Sequence, residues 1–90
     1  MEDFMMRTDF FLHNGCWVHY GVFGDAEHGY SAKADLSFLK KFPVSYLPLR
    51  LERVYFSFEE AEAAVIDFCK EFIDETLLEA ELNPEILQYA

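Results

Sequence analysis

The sequence predicts an α+β domain in which an antiparallel sheet of three to four strands is packed on one face by a long C-terminal helix. Three observations support this. Residues 30–38 alternate between apolar and polar side chains, Asn14-Gly15 is the strongest short signal for a β-hairpin, and an amphipathic helix pattern extends from Ser57 to about Leu78. Alternating strands followed by one long helix favour this arrangement over a parallel α/β fold.

The N-terminal part predicts a hairpin. Residues 1–8 show no clear period, and we expect them to lead into the sheet without regular structure. Asp9–His13 forms a first short strand and Cys16–Phe23 a second. Side chains of a strand alternate between its faces, so the second strand has two distinct sets. One set is Cys16, Val18, Tyr20 and Val22, and the other is Trp17, His19, Gly21 and Phe23.

The middle of the chain predicts two further strands. Residues 24–29 form a loop with glycine at each end, and residues 30–38 form the clearest strand, with one buried and one solvated face. Residues 39–49 contain two prolines, which disfavour a helix or a central strand, so we expect a crossing loop there. Residues 51–56 are predicted to be a fourth strand at the edge of the sheet.

The helix has a capping-box start. Ser57 is the predicted N-cap, its hydroxyl accepting from the Glu60 N–H while the Glu60 carboxylate reaches back to the Ser57 amide. Glu59 and Glu60 also place negative charge at the positive end of the helix dipole. The predicted apolar stripe consists of Ala61, Ala64, Val65, Phe68 and Phe72, flanked by Phe58, Cys69, Ile73 and Thr76.

Length and composition predict a single domain, residues 1–90, with an ordered core at about residues 9–79. Hydrophobic residues make up 52% of the chain and include ten Phe, which excludes disorder of the whole chain. Pro84 interrupts the helical pattern near the C-terminus and can start a short extra helix at residues 85–89.

The charge restricts the choice of partner. The chain has 17 acidic and 7 basic residues, a net charge of −10, and the acids are concentrated from Glu52 onward. Binding to DNA, RNA or anionic membranes depends on Lys and Arg that neutralise phosphates, so all three are disfavoured as direct partners. The same charge leaves one alternative function open, an acidic inhibitor that mimics nucleic acid and binds a basic partner protein.

The sequence predicts a cytoplasmic location. No apolar run approaches the roughly 18 residues that a membrane-spanning helix needs. Glu2 and Asp3 stand where a secretory signal peptide has basic residues. In the cytoplasm, we expect Cys16 and Cys69 to be reduced and to pack as small apolar side chains.

The sequence predicts no metal, cofactor or catalytic residue. His13, Cys16 and His19, with His28 nearby, are ligand types that zinc accepts. However, Cys16 and His19 are three positions apart in one strand, so their side chains point to opposite faces of the sheet. No Gly-x-Ser-x-Gly nucleophile motif is present, and the paired carboxylates fall on the polar helix face. We therefore do not expect an enzyme.

One surface does suggest a function. If Cys16, Val18 and Tyr20 face the helix, then Trp17, His19 and Phe23 point outward from the helix-free face of the sheet. The charge argues against base stacking with RNA, whereas Trp is a favoured anchor of protein interfaces. We therefore expect a small cytoplasmic protein-interaction module, whose partner is another protein or a second copy in a homodimer.

The chain also resembles a known group of proteins. Its glycine-punctuated hairpin and Tyr30 strand are followed by residues 53–64, RVYFSFEEAEAA, and then by Phe72-Ile73-Asp74. This resembles a group of small uncharacterised proteobacterial proteins whose strands lead into an F-x-[ST]-x-E-E-A helix that ends in an Ile-Asp pair. The resemblance spans residues 10–74 and implies a three- or four-stranded antiparallel sheet with a C-terminal helix. The group has no established activity, so it implies no functional residues.

Overall fold

In the computed structural model, residues 5–39 and 46–82 are described, and they form four strands and one helix. The strands make an antiparallel sheet, and the helix packs against one of its faces. This confirms the α+β fold that the alternating strands and the amphipathic helix predict. The elements are β1 (Met5–His13), β2 (Cys16–Asp25), β3 (Gly29–Phe38), β4 (Tyr46–Tyr55) and α1 (Phe58–Leu82).

The strands lie in the sheet in chain order, so β1 and β4 are its two edges. The β1–β2 connection is the predicted hairpin, with His13 opposite Cys16 and φ angles of 50° at Asn14 and 78° at Gly15. A two-residue turn with both φ values positive matches the right-handed twist of the strands it joins. The turn therefore fixes the register of the whole β1–β2 pair.

Both edge strands are longer than predicted. β1 begins at Met5 rather than Asp9, and most of its side chains are exposed. A strand without a buried face need not alternate, so residues 5–8 give no strand signal. β4 begins at Tyr46, inside the predicted loop, and includes Pro48. An edge strand tolerates proline because its outward N–H groups have no partner strand.

The helix also continues beyond its predicted end. α1 runs to Leu82 rather than to about Leu78. No glycine or proline interrupts the chain between the start of α1 and Pro84, so helical hydrogen bonding can continue. The short helix predicted at residues 85–89 lies outside the described residues.

The start of α1 differs in one contact from the predicted capping box. The Ser57 hydroxyl accepts a hydrogen bond from the Glu60 N–H at 3.1 Å, as predicted. The Glu60 carboxylate instead accepts from the Phe56 N–H at 3.2 Å, one residue before the amide expected for it. Both contacts satisfy backbone N–H groups at the helix start, so the cap keeps its stabilising role.

The core lies between α1 and the inward side chains of the three strands β2, β3 and β4. The predicted inward face of β2 is confirmed, since all four of its members are buried. The buried residues are Cys16, Val18, Tyr20, Val22, Ala32, Ala34, Leu36 and Phe38 of the sheet with Phe58, Ala61, Val65, Cys69 and Ile73 of α1.

The apolar stripe of α1 is rotated relative to the prediction. Phe68, placed in the stripe by the sequence pattern, is 43% exposed and stacks on Phe72 with ring centres 6.3 Å apart. Cys69 and Ile73, predicted to be on the flank, are fully buried. Hydrophobic spacing defines a broad arc on a helix, but contacts with the sheet decide which part of the arc points inward.

The helix covers the sheet unevenly. It packs mainly on β2 and β3, less on β4 and least on β1. On the β1 side, Arg7 lies 4.7 Å from the centre of the Phe58 ring, and Lys70 lies 5.8 Å from the centre of the Phe11 ring. Such cation–π contacts are individually weak at exposed sites. β1 is therefore joined to the helix side by these contacts and by Phe11, which packs against the core, while most of its other side chains are exposed.

We expect Ile73→Ala to reduce the free energy of unfolding by about 2–5 kcal/mol, because it leaves a cavity at a fully buried position. Phe68→Ala is the matched control, and its loss should be clearly smaller because the Phe68 ring is half exposed. Urea denaturation of both variants measures the difference. Equal losses would contradict the observed rotation of the helix.

We expect Ser57→Ala to reduce the free energy of unfolding by about 1 kcal/mol, the usual effect of removing an N-cap oxygen. Ser57→Asp is the control, since aspartate also caps helices and should retain most of the stability. Thermal unfolding of the three proteins would show whether the Glu60 N–H depends on this oxygen.

Candidate functional site

The helix-free face of the sheet holds the three residues that the sequence predicts for an interface. Trp17, His19 and Phe23 alternate with the buried residues of β2, so all three point away from α1. Trp17 and His19 are exposed, and Phe23 is half-buried. The predicted orientation of these side chains is therefore confirmed.

Three residues of β1 that the sequence analysis missed lie beside them. The strand register places Met6 opposite Phe23, Phe10 opposite His19 and Leu12 opposite Trp17. Met6, Phe10 and Leu12 are all exposed. A signal for them was present, because a two-residue hairpin turn fixes which residues of its strands are paired.

Together, Met6, Phe10, Leu12 and Trp17 form what we call the apolar patch, with His19 and Phe23 at its border. The Phe10 ring is 60% exposed and lies 5.5 Å from the Trp17 ring at an angle of 55°. It also meets His19 edge-on at 6.2 Å. Tilted and edge-on rings at such distances attract each other, which holds the patch in one arrangement. Exposed apolar side chains gathered in one place are typical of binding surfaces.

The other half of the same face is polar. Its side chains come from β3 and β4, and Lys33 lies directly opposite Arg50. Asp35 lies opposite His19 and so borders the apolar patch. Two of the seven basic residues of an acidic chain are thus adjacent on this face. A protein that covers the whole face would meet an apolar region bordered on one side by positive charge.

Gly21 leaves an open hollow between the two halves of this face. Its volume is about 170 Å³, below the roughly 300–1,000 Å³ of small-molecule pockets. A Cβ atom at Gly21 would lie 3.4 Å from Thr8 Cγ2 and 3.9 Å from Lys33 Cε, which is ordinary contact. The hollow is lined by Met6, Thr8, His19, Tyr20, Gly21, Lys33 and Asp35. Its size suits a single side chain of a bound protein.

Residues 39–49, predicted to be a crossing loop, and the C-terminal tail are the segments that could cover these rings. Residues 46–49 belong to β4, at the far edge of the sheet from β1, so they do not lie over the apolar patch. Residues 40–45 and the C-terminal tail from residue 83 lie outside the described residues. Within the described chain, Trp17 is 39% exposed.

Asp74 of α1 holds the β1–β2 turn. Its Oδ1 atom accepts hydrogen bonds from His13 Nε2 at 2.9 Å and from Asn14 Nδ2 at 2.7 Å. These two donors favour the charged carboxylate and hold the pKa of Asp74 below its ordinary value. His13, considered above as a metal ligand, therefore helps to anchor the turn to the helix.

The two cysteines are buried and unreactive. Burial raises the pKa of Cys16, and burial with the nearby Cys16 raises that of Cys69 to about 11. A thiol kept in its neutral form is a poor nucleophile and metal ligand. Cys16 faces the helix and His19 the opposite side, as predicted. Residues 5–39 and 46–82 contain no group of three acidic, His or Cys side chains placed to hold a metal ion. The absence of a metal stays a prediction.

The other shifted titratable groups take part in structural contacts. Asp25 Oδ1 accepts from the His28 N–H at 2.6 Å and contacts His28 Nδ1 at 3.0 Å, which lowers the Asp25 pKa and closes the β2–β3 turn. Tyr20 donates to Glu62 of α1 at 2.8 Å. Burial, together with that carboxylate, raises the pKa of Tyr20 to about 12. These groups lie apart from one another and do not converge on one site.

Comparisons with known proteins do not add a function. The sequence matches no protein-family model, no curated protein and no solved structure. The resemblance to the small proteobacterial proteins therefore stays a prediction. In the part of the chain that the structure describes, no helix is long and apolar enough to cross a membrane.

We expect Asp74→Asn to destabilise the protein at pH 7 and to lose this effect in acid. Because the folded pKa of Asp74 is below its unfolded value, the ionised carboxylate stabilises the fold above the unfolded pKa. That contribution disappears as the pH falls through the folded pKa. Urea denaturation from pH 7 to pH 3 should show the two proteins converging in stability. Glu75→Gln, at the next exposed position of α1, is the control, and an equal convergence for it would contradict the role of Asp74.

Proposed function

We propose that this protein is a small protein-interaction module that binds its partner through the helix-free face of the sheet, with Trp17, His19 and Phe23 among the contact residues. The observation that supports this proposal is the apolar patch, whose aromatic rings are ordered by contacts with one another and yet exposed. The partner is another protein or a second copy of the chain.

The side chains of this face indicate which groups a partner would present to it. An apolar side chain of the partner would pack on Phe10 and Trp17, and a second side chain would enter the hollow over Gly21. Acidic groups of the partner would lie near Lys33 and Arg50. Aromatic anchors bordered by polar residues are the usual composition of a protein interface. A nucleic acid would instead be repelled by the net charge of −10.

The proposal includes no enzymatic activity, cofactor or metal. The groups with shifted pKa values are occupied in turn and helix contacts, and the cysteine thiols are buried. We place the protein in the cytoplasm, because two free thiols that are buried but unpaired suit a reducing compartment.

A second candidate is an acidic inhibitor that mimics nucleic acid on a basic protein. The outward side of α1 supports it, since Lys70 is the one basic residue between residues 59 and 79 and the exposed acids outnumber it there. Its exposed acids are Glu59, Glu60, Asp67, Glu71, Asp74, Glu75 and Glu79. This candidate predicts binding through the helix, whereas the leading proposal predicts binding through the sheet.

We expect Trp17→Ala to abolish binding of the natural partner while leaving the fold intact, because Trp17 is partly exposed and lies outside the core. The immobilised protein would capture partners from native cell extract, and circular dichroism would check the fold. The sole Trp of the chain is also a direct probe. Partner binding should shift its emission to shorter wavelength and protect it from acrylamide quenching.

Two controls separate the candidates. Phe56→Ala removes a ring that is 95% exposed but lies beyond β4, outside the patch, and should leave binding unchanged. Charge reversal at Asp67 and Glu71 should also have little effect. Binding that survives Trp17→Ala but is lost on charge reversal would contradict the proposal and support the acidic inhibitor.

A further inference from the structure

β1 is a nine-residue edge strand whose outer edge and open face are largely uncovered, and whose inner side is only partly covered through Arg7, Phe11 and His13. Most of its side chains are exposed, on the helix side as well as on the open face. No other described strand pairs with its outer edge, where the Phe10 N–H donates a hydrogen bond to the Asp9 carboxylate at 2.8 Å. Its exposed apolar side chains are Met5, Met6, Phe10 and Leu12. A long edge strand with exposed apolar residues is a template for pairing with another strand.

The opposite edge is protected against such pairing. β4 contains Pro48, and its register against β3 is interrupted between Tyr30 and Ala32. β1 contains neither proline nor glycine, and its pairing with β2 runs without interruption from Met5 to His13. Proline and irregular pairing are devices that block edge association. Of the two edges, β1 is the one shaped to accept a strand.

A second copy of the chain supplies a strand of the same sequence. If the two-fold axis is perpendicular to the sheet, the two copies of β1 pair in antiparallel orientation, and one residue lies opposite its own copy. The remaining residues pair symmetrically about that central residue. The position of the axis therefore decides which charged side chains meet.

The register centred on Thr8 brings opposite charges together across the strands, in exchange for the contacts that Arg7 makes with the Phe58 ring and Asp9 with the Phe10 N–H. It sets Arg7 opposite Asp9 of the second copy, and Asp9 opposite Arg7 of the second copy. Cβ atoms of directly opposite residues are about 4.5–5.5 Å apart, so both pairs can form. On the other face, it sets Met6 opposite Phe10 of the second copy, a favourable sulfur–aromatic contact.

Neighbouring registers are unfavourable. Centring on Arg7 or on Asp9 places like charges directly against each other, which destabilises strand pairing. Centring on Phe10 sets Arg7 opposite His13 and leaves Asp9 opposite the apolar Phe11. Of these four registers, only the one centred on Thr8 sets Arg7 opposite Asp9.

We propose that two copies of this chain associate through β1, with Thr8 at the two-fold axis, to form a continuous antiparallel sheet of eight strands, four from each copy. This goes beyond the proposed function, because it concerns the edge of the sheet rather than its face. Both helices then lie on one side of the joined sheet. The two apolar patches lie side by side on the other, connected through Met6 and Phe10, and remain open to a partner protein.

Charge substitutions test the register. Arg7→Asp alone, or Asp9→Arg alone, converts both cross-strand pairs to like charges and should weaken dimerisation about tenfold or more. The double variant Arg7→Asp/Asp9→Arg should restore it. An equimolar mixture of the two single variants should form a heterodimer, because opposite charges then meet in both pairs. Sedimentation velocity over a concentration series at physiological salt, which screens the repulsion between two acidic chains, measures each case.

Cysteine cross-linking tests the axis itself. Thr8→Cys should give a disulfide-linked dimer on mild oxidation, because position 8 faces its own copy. Met6→Cys and Phe10→Cys should cross-link poorly alone but readily when mixed. The native Cys16 and Cys69 are buried, so the wild-type protein should not cross-link and is the negative control.

If the mixture of the two single variants dimerises, improved folding cannot be the cause, since the mixture contains the same two chains that do not dimerise alone. A wild-type protein that is monomeric at every concentration, with no Thr8→Cys cross-link, would overturn the inference. So would a dimer that is insensitive to both charge substitutions or that is lost only in Trp17→Ala. In each of these cases, capture of a partner through the apolar patch could still succeed, so the two proposals fail separately.

Discussion

The width of a single helix limits how much of this sheet can be buried. An α-helix is about 10 Å across and neighbouring strands lie about 4.8 Å apart, so one helix covers about two strands. α1 covers mainly β2 and β3, whose inward side chains form most of the core. α1 reaches β1 only through a few side-chain contacts, and no described element lies over the opposite face of the sheet. The rings of Phe10 and Trp17 are exposed because they point to that opposite face, over which no described element lies.

Polar and charged side chains complete the packing where apolar ones do not reach. Tyr20 donates a hydrogen bond to Glu62, and Asp74 accepts from His13 and Asn14. Arg7 lies over the Phe58 ring, and Lys70 lies over the Phe11 ring. These contacts join α1 to β1, to β2 and to the turn between them. Directed contacts of this kind fix the rotation of a helix more sharply than hydrophobic burial, which is non-directional. They are consistent with the burial of Cys69 and Ile73 and the exposure of Phe68.

The two proposed surfaces are compatible because they use different groups. Pairing along β1 uses backbone groups at the strand edge, whereas binding on the face uses the side chains of Phe10, Trp17 and their neighbours. A dimer joined at the edge would present both apolar patches in one plane, which gives a bivalent partner two adjacent contacts. The acidic outer face of α1 stays in solvent in either case and keeps the assembly from further association.

The sequence by itself determined the local features of this protein. The Asn14-Gly15 turn, the Ser57 cap and the alternation of residues 30–38 follow from short-range stereochemistry, and alternation alone placed Trp17, His19 and Phe23 on the outer face. The tertiary structure decided which surfaces are covered. Residues 5–8 extend β1 although their sequence shows no period, because an exposed strand is defined by its neighbour's hydrogen bonds and not by burial. Residues 46–50 extend β4 despite Pro48, because a strand at the sheet edge tolerates proline. Phe10 lies in the candidate site and Phe68 lies outside the core, neither of which the sequence predicted. Exposure depends on what lies opposite a side chain, and local spacing does not contain that information.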